Sequence, residues 1–137
     1  MENSHARCDK LEQLITAQAV RQPDGVALWW QGRATTYASL NKRVQALAGR
    51  LASVGNVGDR VAVLAWNCPE FLELIYAVPA SGKILVPLNA RLAPAELGWQ
   101  LRSAGVTTLF GDPELLGPLL RDDSFAQAIT VIDIQAD

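Results

Sequence analysis

The sequence predicts an α/β fold in which a mostly parallel sheet is flanked by helices on both faces. Short apolar runs, "VALWW", "RVAVLA", "ILVPL", "TTLFG" and "AITVIDI", alternate with longer segments whose apolar residues recur at helical spacing. The joints between them are short and hold glycine, proline, asparagine or aspartate, as turns do. Strands separated by helices pair in parallel, because the crossover between parallel strands needs about a helix's length of chain.

Residues 9–21, "DKLEQLITAQAVR", place Leu11, Leu14, Ile15 and Val20 toward one face and predict an amphipathic helix. "QPD" ends it, since the residue before a proline is pushed out of helical geometry. "VALWW" and the residues after "QGR" then read as a short hairpin. The next helix is the clearest: Thr36 suits its N-cap, and Leu40, Val44, Leu47, Ala48 and Leu51 share a face. Gly55 supplies a natural stop.

"RVAVLA", rich in β-branched residues, fits a strand covered on both faces. Pro69 suits the first turn of the following helix, where Phe71, Leu72, Ile75 and Tyr76 are the apolar positions. Pro79 should kink or end that helix, and Ser81 with Lys83 reads as a helix end carrying a solvated lysine. "ILVPL" is a strand with its proline near the end, consistent with a sheet edge. A helix using Leu97, Leu101 and Ala104, the strand "TTLFG", a short helix in "DPELLGPLLRD" and the strand "AITVIDI" complete the order. Asp112, Asp122 and Asp123 are expected to cap or decorate surface turns. The tryptophans Trp29, Trp30, Trp66 and Trp99 are expected to serve core or domain-interface packing.

The chain of 137 residues is the size of one domain, with half its residues hydrophobic and 19% charged. A net charge of −2, with both signs interleaved, argues against a nucleic-acid partner. Two distant cysteines, Cys8 and Cys68, and one histidine, His5, cannot build a zinc site, and the thiols are expected to be reduced. The polar start "MENSHARCDKLEQ" is not a signal peptide, and residues 1–8 are expected to be disordered. No apolar stretch reaches the roughly 20 residues of a membrane-spanning helix, so the expected location is cytoplasmic.

A strand running into a helix is where many α/β enzymes hold a phosphate, provided glycines let the backbone approach. The turn "AWNCPEF" has no glycine, Trp66 fills the space, and Glu70 and Glu73 bring negative charge, so phosphate should be repelled. "SGK" at 81–83 lacks the upstream glycine of a phosphate loop, and no local pattern assembles a hydrolase constellation. Asn67 and Asn89 each follow a strand, the edge of an open sheet where ligands bind. Each could line a substrate pocket or simply form a turn. Arg91 could meet an acyl carboxylate or a CoA phosphate, or could be an ordinary solvated arginine.

An ordered set of short motifs adds a resemblance. A Thr-Tyr helix start precedes a long amphipathic helix, then "GDRVA" with its strand, "NCPE" opening a helix, "VPLNARL" at a turn, and a helix with Glu-Leu near its start. Over about residues 10–135 this resembles the N-terminal region of the adenylate-forming, AMP-binding acyl-CoA synthetases. Asn89 in "VPLN" is more similar to acyl-CoA ligases than to peptide-synthetase adenylation domains, which usually carry aspartate there. The resemblance implies residues 1–137 as an N-terminal fragment of an AMP-binding domain, its fold the N-terminal subdomain of the synthetase-like fold. It implies a fatty-acid (acyl)–CoA ligase that makes an acyl adenylate from a carboxylic acid and ATP and passes the acyl group to CoA. ATP, Mg2+ and CoA serve the full-length family. The Ser/Thr/Gly-rich phosphate loop and the catalytic lysine of that family are absent from these 137 residues. No catalytic, cofactor-binding or metal residue is therefore assigned, and no cofactor is expected to bind this chain tightly. Pro79 and Lys83 depart from the family pattern, which usually has helix-compatible, apolar residues there. Ser39 stands where a glutamate often completes the capping box.

Two other readings stay open on sequence. A flavodoxin-like or receiver-like binding module shares the architecture, but "AWN" and "WW" at the strand ends lack a receiver's acidic residues. Alternatively, a non-catalytic piece of a larger sheet would expose apolar surface and self-associate or assemble with a partner.

Overall fold

The computed structural model describes residues 10–126 and 128–136. The expected disorder of residues 1–8, together with His5 and Cys8, falls outside them.

Helix α1 (Leu11–Arg21) leads into a hairpin of β1 (Val26–Trp30) and β2 (Arg33–Thr36). Gln31 and Gly32 turn the hairpin with φ of 48° and 77°, the paired positive values that match the right-handed twist of flanking strands. Helix α2 (Tyr37–Ala52) follows, and the Thr36 hydroxyl accepts from the Ser39 amide at 3.2 Å, the expected N-cap.

From there the chain alternates: β3 (Arg60–Leu64), α3 (Pro69–Ala80), β4 (Ile84–Pro87), α4 (Pro94–Ser103), β5 (Val106–Gly111), α5 (Pro113–Leu120) and β6 (Thr130–Asp133). The four later strands form one sheet in the order β4-β3-β5-β6, parallel throughout. Right-handed crossovers fix which face each helix takes. The step from β3 to β4 runs one way along the sheet, and the steps from β4 to β5 and from β5 to β6 run the other way. Accordingly α3 joins α1 and α2 over one face, packing on Val61, Val63 and Phe110. Helices α4 and α5 cover the other face over Ala62, Leu64 and Leu109.

Four expectations are corrected. In α1 only Ile15 is buried, whereas Leu11 and Leu14 are exposed and Val20 is 80% exposed. The helix rides on the edge of α2 and α3 with one narrow contact rather than a full apolar stripe. In α3 the inward positions are Leu74, Ala77 and Val78, with Phe71, Leu72, Ile75 and Tyr76 only half-buried. This helix packs on both the sheet and α2, so its buried face is broader and rotated from the one the strongest hydrophobes suggested. Of the two roles expected for the four tryptophans, core packing is ruled out, since all four are exposed, Trp29 at 66%. Lys83 is not solvated but buried, for reasons given below.

Pro79 ends its helix nearly on the spot. The helix runs one residue further, to Ala80, and closes with Gly82 N–H to Pro79 O at 3.0 Å and Lys83 N–H to Val78 O at 3.2 Å. Gly82 takes φ of 80°, the left-handed residue this helix ending requires.

Candidate functional site at the carboxyl edge of the sheet

Open parallel sheets bind ligands outside the carboxyl ends of strands, where adjacent connections leave for opposite faces. Here β3 sends its chain to α3 on one face, while its neighbours β4 and β5 send theirs to α4 and α5 on the other. The crevice therefore opens around the end of β3. Its turns are anchored beyond the strands: Leu88 N–H donates to Val63 O and Asp112 N–H donates to Leu64 O, both at 2.9 Å.

Asn67 follows β3 at this edge and is exposed beside the exposed Trp66. Asn89 follows β4 and is also exposed; its Oδ1 accepts from the Arg91 amide at 2.9 Å, and its carbonyl accepts from Leu92 N–H at 3.1 Å. Asn89 is thus engaged in shaping its own turn. Arg91 is exposed on that turn. Topology places these three residues on the turns that flank the β4–β3 side of the crevice.

The three helices that begin at this edge share one opening, proline followed by glutamate within the first turn: Glu70 in α3, Glu96 in α4 and Glu114 in α5. Glu96 turns back to accept from the Ala93 amide at 2.8 Å. A helix N-terminus attracts anions through its unpaired amides and dipole. Here the chain meets each one with its own carboxylate. Glu73, also expected to repel anions, is instead neutralised: it is buried, and Arg43 of α2 donates Nε to its Oε1 at 2.5 Å and Nη2 to Oε2 at 3.5 Å. The partners lie 30 residues apart, and no local pattern signals such a pair.

Cys68 is the N-cap of α3 and carries a half-buried thiol. Burial pushes that thiol up, the Phe71 backbone amide pulls the other way, and Glu70 raises it further. A thiol held protonated is a poor nucleophile. Of the three aspartates expected in surface turns, Asp122 accepts from the Ser124 amide at 2.9 Å, and bonding from Ser124 holds its carboxyl below the usual range. Asp112 caps α5 through its backbone carbonyl, and Asp123 is exposed. Among the described residues no group of three or more His, Cys, Asp or Glu could hold a metal ion.

Sequence reasoning missed a second concavity. A groove of about 580 Å3 runs between α2 and β6, floored by Leu47, Leu51, Leu74, Phe110 and Ile132 and edged by Arg50. On this face the helices cluster on α3, which leaves the groove open along β6.

A doubly wound parallel domain with its crevice at the strand ends is the class these features define. Residues 15–136 match the family of AMP-binding enzymes, and the chain belongs to that family. It is 41% identical over 98 residues to a feruloyl-CoA synthase of Amycolatopsis, covering 71% of this chain and 20% of that one. It is 43% identical over 83 residues to a long-chain-fatty-acid–CoA ligase of Thermus thermophilus, covering 60% of this chain and 15% of that one. Among solved structures it is similar to the NpsA N-terminal subdomain of Klebsiella oxytoca in complex with 3-hydroxybenzoyl-AMSN. The TM-score is 0.76 at 27% identity, over 91% of this chain and 30% of that one. The fold is thus that of the N-terminal subdomain of adenylate-forming enzymes, and the chain spans about a fifth of the length of the first of those relatives. No helix among the described residues is long and apolar enough to cross a membrane.

Proposed function

We propose that this chain furnishes the N-terminal scaffold of an ATP-dependent acid–CoA ligase, and that alone it neither holds ATP tightly nor forms an acyl adenylate. What supports this most directly is the carboxyl edge, where three helix N-termini are each met by a glutamate and the turn after β3 has no glycine. The whole enzyme would use ATP, Mg2+ and CoA on a fatty or other carboxylic acid in the cytoplasm, with the phosphate loop and the catalytic lysine supplied from outside these residues. Asn67, Asn89 and Arg91, all exposed, would then form part of the acid-pocket wall, Asn89 through its side-chain NH2 because its Oδ1 holds the turn. No nucleic-acid partner is proposed. The test is ATP–pyrophosphate exchange by the purified chain with a panel of carboxylic acids. No exchange above background is expected, and sustained acid-dependent exchange would overturn the reading.

The unroofed groove favours one addition to this reading, self-association. The concavity along α2 and β6 has an apolar floor of which Leu47 and Ile132 stay half-buried, and a second copy of this chain would cover it. Sedimentation equilibrium should give a concentration-dependent mass above the 14.8 kDa monomer. A monomer at every concentration would discard association and leave the scaffold reading standing.

A further inference from the structure

Lys83, which reads as solvated in the sequence, is instead enclosed: its side chain is 5% exposed at the amino end of the sheet, opposite the carboxyl-edge crevice. Nζ donates to the carbonyl of Val54 at 2.8 Å and to that of Asn56 at 3.1 Å, and Asp59 Oδ2 lies 3.8 Å away. These oxygens all come from the loop of residues 53–59 that joins α2 to β3.

The loop is held in this shape by bonds that do not involve the lysine side chain. Asp59 Oδ2 accepts from the Asn56 amide at 2.8 Å, and Asp59 N–H donates to Asn56 O at 3.2 Å. Gly58 N–H donates to Gly82 O at 2.8 Å, and Ile84 N–H donates to Asp59 O at 3.0 Å. Gly55 has φ of 63°, and a Cβ there would overlap Asp59 Oδ2 and come within 3.2 Å of Nζ. Only a glycine lets the chain fold its carbonyls inward at that point. Two carbonyl dipoles and one carboxylate thus converge on a single positive charge.

We propose that loop 53–59 is a monovalent-cation site which the protein fills with its own Lys83 ammonium, and which takes an ammonium or potassium ion once that side chain is removed. One carboxylate balances one positive charge, which favours a monocation over a divalent ion. Two backbone carbonyls beside that carboxylate point the same way, since neutral carbonyl oxygens are the donors that replace the hydration shell of a large monocation. The tethered ammonium therefore makes the junction of loop 53–59 with the start of β4 independent of dissolved ions.

The Lys83→Met variant tests this, because it keeps the stem and removes the charge. Its thermal midpoint in tetramethylammonium chloride should fall by several degrees relative to the natural chain. Ammonium or potassium chloride at the same ionic strength should recover at least half of that loss, while the natural chain should not discriminate between the salts. If Lys83→Met does not fold in tetramethylammonium, its refolding yield in ammonium against tetramethylammonium gives the same readout. No loss on substitution, equal recovery in every salt, or no recovery in any would each overturn the proposal.

Discussion

Leu64→Ala is expected to lower the unfolding free energy by about 3–5 kcal/mol, the upper range for truncating a buried leucine. Leu64 ends β3, an interior strand, and is 0% exposed. Its side chain belongs to the cluster that α4 and α5 close over the sheet, with Leu97, Leu101, Leu109, Leu116 and Leu119. Strand β3 itself is held by backbone ladders to β4 and β5 on its two sides, so the site cannot collapse fully into the space a lost isopropyl group leaves, and the cavity adds to the transfer cost. A domain is stabilised by only about 0.05–0.15 kcal/mol per residue, so this one change removes a large fraction of the total. Urea unfolding should show a lower midpoint with an unchanged slope. The comparison is Leu11→Ala on α1, where an exposed leucine predicts a change within about 0.5 kcal/mol. Equal losses at the two positions would mean that the core is not where the sheet topology puts it.

That contrast shows what was legible in the sequence. Strand and helix order followed from period and punctuation, and every one of the five apolar runs became a strand because β-branched residues between turns have few other uses. The Thr36 cap and the closure after Pro79 were legible because both are local: donor and acceptor lie within a turn of each other. The burial of Lys83 was not. Its partners Val54, Asn56 and Asp59 sit 24 to 29 residues earlier, and two of the contacts are backbone carbonyls, which carry no residue signature. The Arg43–Glu73 pair was hidden for the same reason, since it exists only once α2 packs on α3. At the carboxyl edge, Asn67, Asn89 and Arg91 could be placed from the sequence because that placement needs only strand ends. Which of them face a ligand is not set by strand ends, because it depends on tertiary contacts that carry no local pattern.

Gly98→Ala is a sharper test, because local and tertiary physics predict opposite signs. Gly98 lies inside α4, where replacing glycine by alanine ordinarily stabilises a helix by about 1 kcal/mol. Here a Cβ would overlap Ser124 Oγ, lie 2.7 Å from Ser124 Cβ and come 3.1 Å from its carbonyl carbon. The obstacle is backbone as well as side chain, so a rotamer change cannot relieve it. That stretch is also pinned: Ser124 N–H donates to Asp122 Oδ1, Arg102 Nη1 donates to the Ser124 carbonyl, and Ser124 Oγ reaches Pro94 O at 3.5 Å. Admitting the methyl group forces the loop between α5 and β6 off α4 and weakens the two bonds that tie it there, with Arg102 and with Pro94. Overpacking of this kind costs about 1–3 kcal/mol, enough to exceed the helix-propensity gain and leave a net destabilisation. Ser124→Gly in the Gly98→Ala background should then recover part of the loss, since it removes two of the three clashing atoms while the backbone contact remains. The coupling between the two sites, measured by a double-mutant cycle in urea, should favour the double variant by about 0.5–3 kcal/mol. A stabilised Gly98→Ala with no coupling to Ser124 would mean that the loop does not rest on α4, and the closure of that face of the sheet would have to be redrawn.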